Sequence, residues 1–175
     1  MMKLVQFLSV FSLASLATVN ASAADYAAVN KESCYRFEKS TSPFILILKT
    51  GEDTLSSITQ CAKDAKLQAA SFIGIGQLHN PTLAYFTSNP QDKPMLKTFG
   101  GYYELVSLTG DVTNNKGNYY AHAHVALGDH AFQGIAGHLK SGEVGMTAEI
   151  TIFPLAGSVE RTINANSGFG PIVTK

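Results

Sequence analysis

The chain has 175 residues, with 13 Lys and Arg balancing 13 Asp and Glu to a formal net charge of +0, enough for one domain of ordinary size. Only two arginines occur, Arg36 and Arg161, and no basic patch is visible, which disfavours nucleic acid as a partner. Membrane-surface binding fares no better, because no basic amphipathic helix can be read after the N-terminal segment.

That segment comes first in chain order. Lys3 supplies a positive start, Leu4 to Val19 form an apolar stretch diluted by Gln6, Ser9, Ser12 and Ser15, and Ala21-Ser22-Ala23 is a small-residue cleavage site. The stretch is too short and serine-rich for a good spanning helix. Residues 1–23 therefore read as a secretory signal, which makes the protein exported, periplasmic or secreted, with no stable membrane insertion after cleavage. Without Lys3 the mature chain has 12 basic against 13 acidic residues. The two cysteines, Cys34 and Cys61, then meet an oxidising compartment. They form a disulfide, or Cys61 packs on a helix as a small hydrophobe.

Residues 24–43 are polar and irregular, an arm laid over the domain of residues 44–155. Phe44 to Leu48 is an apolar run that predicts a buried strand. Asp53 or Thr54 caps a helix over Thr54–Lys66, where Leu55, Ile58, Ala62 and Ala65 recur at helical spacing. Ala70–Gln77 reads as a second strand, Asn80-Pro81 as a turn, Thr82–Thr87 as a third strand, and Asn89 to Pro94 as a loop. Tyr102–Val112 is the next strand, ended by the hairpin signal Asn114-Asn115-Lys116-Gly117. The strand Asn118–Gly128 and a glycine-bearing return follow, then Val144–Phe153, with Val144, Met146, Ala148, Ile150 and Ile152 expected on one side. Residues 156–175 read as a loosely held tail. The fold class is α+β, a mostly antiparallel sheet with one principal helix. Gly74-x-Gly76 lacks the third glycine and the helix of a dinucleotide fingerprint, and suits a bulge or close strand packing instead.

Three histidines carry the most chemistry. His122 and His124 alternate within Asn118–Gly128, so they share a face with Tyr120 and Ala126. With Asp129-His130-Ala131 as the hairpin loop, His138 falls opposite His122 on that face, with Cβ atoms about 4.5–5.5 Å apart. A register one residue different would send the His138 ring to the other side. Three imidazoles so placed suit a divalent ion of the zinc type with an open fourth position. The plainer reading is three half-buried, hydrogen-bonded strand histidines. His130 belongs to the exposed loop tip, and His79, in a turn, is a weaker ligand candidate.

Several blocks resemble the PPC domain (plants and prokaryotes conserved), a domain of unknown function that plants fuse to AT-hook segments. They are Leu48 to Asp53, Ala69 to Gly76, Tyr103 to Gly110, His122 to Gly128, Gly134 to Leu139 and Gly142 to Val144, in the expected order over about Leu46 to Phe153. The resemblance implies a compact α+β domain assembling as a homotrimer, similar in fold to α-acetolactate decarboxylase. That enzyme holds zinc with a His-x-His pair and a later histidine, a role that falls here on His122, His124 and His138. Tyr103 stands where an arginine is often found in the family, which weakens transfer of any anion-binding role. An export signal is unusual beside nuclear relatives and argues against DNA.

Three functions compete. The first is a metal-dependent enzyme, of lyase or hydrolase type, on a small molecule. Its candidate acid or base is Glu104, expected on the same side of its strand as Val106 and Leu108, where a carboxylate is expensive without a role or a partner. The same Glu104 is also readable as a salt-bridge or subunit-contact residue. The second function is a non-catalytic trimeric binding or scaffold protein. The third is DNA binding by analogy with the AT-hook relatives, which charge and export oppose.

Overall fold

The computed structural model describes residues 43–173. The expected signal, the arm up to residue 42 and Cys34 lie outside the described residues. Strand β1 (Phe44–Lys49) buries Phe44, Leu46 and Leu48 and turns Ile45 outward, so the apolar run has one covered face. Gly51, at φ +85°, turns the chain into helix α1 (Thr54–Asp64). The cap is Asp53, whose side chain accepts a hydrogen bond from Ser56 N at 2.9 Å. Thr54 is buried instead, its hydroxyl donating to the Gly142 carbonyl. The helix ends two residues before the expected Lys66, which takes a left-handed φ of 55° while Leu67 N–H returns to the Ala62 carbonyl.

Strand β2 (Ala70–Tyr85) runs through the expected turn without leaving the sheet. Asn80 adopts φ 49°, and its side chain and backbone both bond Gly101, so Asn80-Pro81 kinks one long strand at an irregular point where a proline needs no ladder donor. Strand β3 (Met95–Thr98) pairs with the end of β2 and was not legible in the sequence; all four of its residues are exposed, so no burial alternation marks it. Strands β4 (Tyr102–Asn115) and β5 (Asn118–Gly128) form the expected hairpin, with Lys116 and Gly117 both at positive φ. Strand β6 (Gly134–Pro154) joins the glycine-bearing return and the last predicted strand into one. Its alternation fails at Met146, which is 71% exposed, because three residues separate Val144 from Ala148 while one separates their partners Leu78 and Gly76.

All pairings between named strands are antiparallel, and β2, β4, β5 and β6 close into a ring, since β6 pairs with β5 at its start and with β2 along most of its length. Inside lie Phe72, Leu78, Leu105, Leu108, Val112, Leu127, Leu139 and Ile150, and α1 packs Ile58, Cys61 and Ala62 onto the same core. Each fully buried aliphatic side chain contributes about 1.5–3 kcal/mol. Cys61 is disulfide-bonded. Close strand approach explains Gly76, where an added Cβ would strike the Thr147 carbonyl and Ala148, and Gly110, where it would strike the His122 carbonyl and the Phe72 ring.

The tail is held, contrary to expectation. Asn114 N–H donates to the Val159 carbonyl, Arg161 N–H donates to the Asn114 carbonyl, and the Ser167 hydroxyl donates to the Pro90 carbonyl. Arg161 is 7% exposed, and its burial anchors this segment against β4.

Candidate metal centre

Strand β5 buries Ala121, Ala123, Val125 and Leu127, so period-2 geometry sends Tyr120, His122, His124 and Ala126 to the outside of the ring. The loop to β6 has five residues, Asp129 to Gln133, rather than three. The Asp129 carboxylate holds it by accepting from Ala131 N and Gln133 N. His138 therefore pairs with His124, not with His122. The expected register is wrong by two residues, and an even shift leaves every side chain on its expected face.

The three imidazoles meet as expected. Their ligand atoms all lie within 4.8 Å of one another, and the ring centroids are 5.0–5.4 Å apart. Tetrahedral zinc at 2.0–2.1 Å needs donors about 3.3 Å apart, a difference that modest side-chain rotation closes. His124 is exposed, while His122 and His138 are half-buried. One side of the cluster thus faces solvent, and the Phe86 ring meets His138 edge-on at 5.3 Å. Burial first, then the neighbouring His122, His124, Lys140 and Arg161, push the His138 imidazole down to about 4. Burial and His122 lower His124 as well. Both rings are neutral at physiological pH, the form a metal ion requires. Among the described residues this is the one such cluster of three ligating side chains.

Two residues that the sequence reading missed complete the surroundings. Asp111 lies directly across from His122, its Oδ2 3.7 Å from His122 Nδ1. Arg161 donates through Nη2 to both Asp111 oxygens at 2.8 Å, and through Nε to Thr113 Oγ1 at 2.9 Å. Burial would raise the Asp111 carboxyl, but the hydrogen bonds and charges of His122 and Arg161 outweigh it and hold it below its ordinary value. Asp111 was available in the sequence, since the Lys116-Gly117 turn pairs it with His122; Arg161, fifty residues on, had no such signal.

Glu104 stands elsewhere. A bulge at Val106 shifts the phase of β4, so Leu105 and Leu108 are buried while Glu104 and Val106 point outward. The premise that Glu104 shares a side with Leu108 therefore fails. Glu104 accepts a hydrogen bond from Gln77 Nε2 at 3.1 Å. It lies five residues along β4 from Thr109, the partner of His124, which is roughly 16 Å of strand. His79 stacks on Tyr102 at 4.5 Å and His130 is exposed in the loop; neither joins the three.

Residues 35–156 match the Plants and Prokaryotes Conserved (PCC) domain, and the chain belongs to that family. The same domain is solved in a plant- and prokaryote-conserved protein from Pyrococcus horikoshii, 30% identical, with a TM-score of 0.68 over 76% of this chain and 92% of that one. A metal-containing protein from Archaeoglobus fulgidus is 26% identical, with a TM-score of 0.68 over 76% of this chain and 94% of its own. A Ralstonia eutropha protein whose name proposes DNA binding is 26% identical, with a TM-score of 0.67 over 75% of this chain and 91% of its own. The α-acetolactate decarboxylase of Bacillus subtilis matches at a TM-score of 0.48 and 11% identity, too slight a likeness to carry chemistry across. No curated protein matches.

Proposed function

We propose that the protein is an exported, homotrimeric member of its family that holds a divalent ion, zinc by ligand type, through His122, His124 and His138, and acts on a small molecule at the ion's open side. One observation carries the reading: three imidazoles from two strands converge at an outward-facing, partly exposed cluster, with those of His124 and His138 held neutral by burial. An ion held there would polarise a carbonyl or lower the pKa of a bound water to about 7. The chain's own part is to keep the His124 and His138 rings neutral by burial and to leave the His124 side open to ligand. The metal-containing Archaeoglobus relative supports the metal, and the disulfide at Cys61 suits an oxidising compartment.

Binding DNA, as the Ralstonia name proposes for that protein, fits this chain poorly. Charge is balanced, and the single arginine among the described residues is buried against Asp111 rather than offered to phosphate. A non-catalytic trimer is the second reading, and the sheet's outer face favours an assembly. Ile45, Thr151, Ile73 and Thr109 form one row across β1, β6, β2 and β4, continued by His124 and His138. Ile45 and Ile73 are each about half exposed at 53% and 52%, and Ile75 beside them at 57%.

Elemental analysis tests the metal. The wild type should carry about one divalent ion per chain, His122→Ala, His124→Ala and His138→Ala should each lose most of it, and His130→Ala should keep it. Full retention in His138→Ala refutes the site. Turnover of carbonyl and ester compounds by the loaded wild type, lost in the same three variants, separates an enzyme from a scaffold.

A further inference from the structure

The Nδ1 side of the His122 ring has two neighbours with opposite demands. Arg161 Nη2, which can only donate, is 3.2 Å away, and Asp111 Oδ2, which when ionised can only accept, is 3.7 Å away. With Nδ1 turned to this pair, Nε2 is the nitrogen left for an ion shared with His124 and His138. A ligating Nε2 must offer its lone pair, so the neutral ring must carry its proton on Nδ1, a proton Arg161 cannot accept. Resting on the metal reading above, we propose that Asp111 is the positioning residue that takes the Nδ1–H of His122 when the site is loaded, with Arg161 from the C-terminal segment fixing the carboxylate in place.

The geometry makes this a short adjustment. Arg161 already grips both Asp111 oxygens at 2.8 Å and is itself tied to Thr113 and the Gly170 carbonyl, so the carboxylate cannot swing away. Asp111 and His122 are a direct cross-strand pair, so a side-chain motion of less than about 1 Å brings Oδ2 into hydrogen-bond range of Nδ1. As the contacts stand, the Arg161 donor faces Nδ1 and favours the tautomer protonated on Nε2. Loading the ion therefore exchanges one tautomer for the other, with the Asp111–Arg161 pair serving both. Carboxylate partners of metal-bound histidines are worth 10- to 100-fold in metal affinity.

The test uses the full chain and zinc alone. Nitrogen-15 spectra of the wild-type His122 ring should show the proton on Nε2 without zinc and on Nδ1 with it. Zinc affinity, measured by competition with a chromophoric chelator, should fall about 10-fold or more in Asp111→Ala and less in Asp111→Asn, whose amide oxygen still accepts. Circular dichroism of the metal-free variants establishes that they are folded; should Asp111→Ala fail to fold, the wild-type spectra and Asp111→Asn decide. Zinc held through Nδ1 of His122, or unchanged affinity in folded Asp111→Ala, overturns the positioning role and leaves the three-histidine site standing. A wild type that binds no zinc overturns both.

Discussion

Replacing Arg161 by Ala should destabilise the metal-free protein by about 3 kcal/mol. The guanidinium makes two charge-assisted hydrogen bonds to Asp111, one to Thr113 Oγ1 and one to the Gly170 carbonyl, at 7% exposure. Breaking a fully buried pair costs about 3–5 kcal/mol. Asp111 keeps 27% exposure, so water partly replaces the lost partner and trims that figure. The Thr113 and Gly170 bonds add about 1 kcal/mol each before water recovers some of it. For a domain of this size 3 kcal/mol lowers Tm by roughly 6–12 °C. Urea denaturation in the presence of a chelator is the assay, because it reads folding without the ion. Asp111 is held below its ordinary value, so its contribution is present above pH 3.8 and lost as pH falls through its folded value. The gap between wild type and Arg161→Ala should therefore narrow in acid. A variant within 0.5 kcal/mol of wild type at pH 7 would show that the C-terminal segment is not anchored as described.

Stability of the metal-free protein should also decline as pH falls from about 6.5 to about 4, because the unfolded chain takes up a proton at His138 that the folded chain refuses. Thermal melts of wild type and His138→Gln across that window check this, and equal slopes would refute it. Light scattering at micromolar concentration should give three copies, and Ile73→Asp, on the exposed row, should shift the mass downward; a monomeric wild type ends the trimer proposal. Mass spectrometry of protein from its host should find an N-terminus near Ala24, and an intact Met1 in the mature pool would remove the case for export.

The sequence made β5 and its two histidines legible, because strict alternation between small apolar and ring-bearing residues has one reading on a pleated strand. It placed His138 on the right face for a reason weaker than the register offered. The loop has five residues instead of three, and the error survived because it is even. Glu104 had no such protection, since the single extra residue at Val106 inverts everything beyond it, and composition does not reveal a bulge. At Met146 the excess is two residues, so Val144 and Ala148 keep their common side and Met146, midway between them, is turned out. The kink at Asn80-Pro81 looked like a chain reversal because proline and positive φ mark both turns and strand irregularities. Arg161 was out of reach because only the tertiary path of a glycine- and asparagine-rich segment brings it to Asp111.

His138 belongs to β6 where that strand is bonded on both sides, to His124 of β5 and to Ala84 of β2. It therefore stands on the seam that closes the ring. An ion shared by His122, His124 and His138 would rivet that seam from outside, tying β5 to β6 at the end of a ladder of only five residue pairs. Removing such an ion would leave the backbone ladder between β5 and β6 in place and take away only the side-chain tie across it.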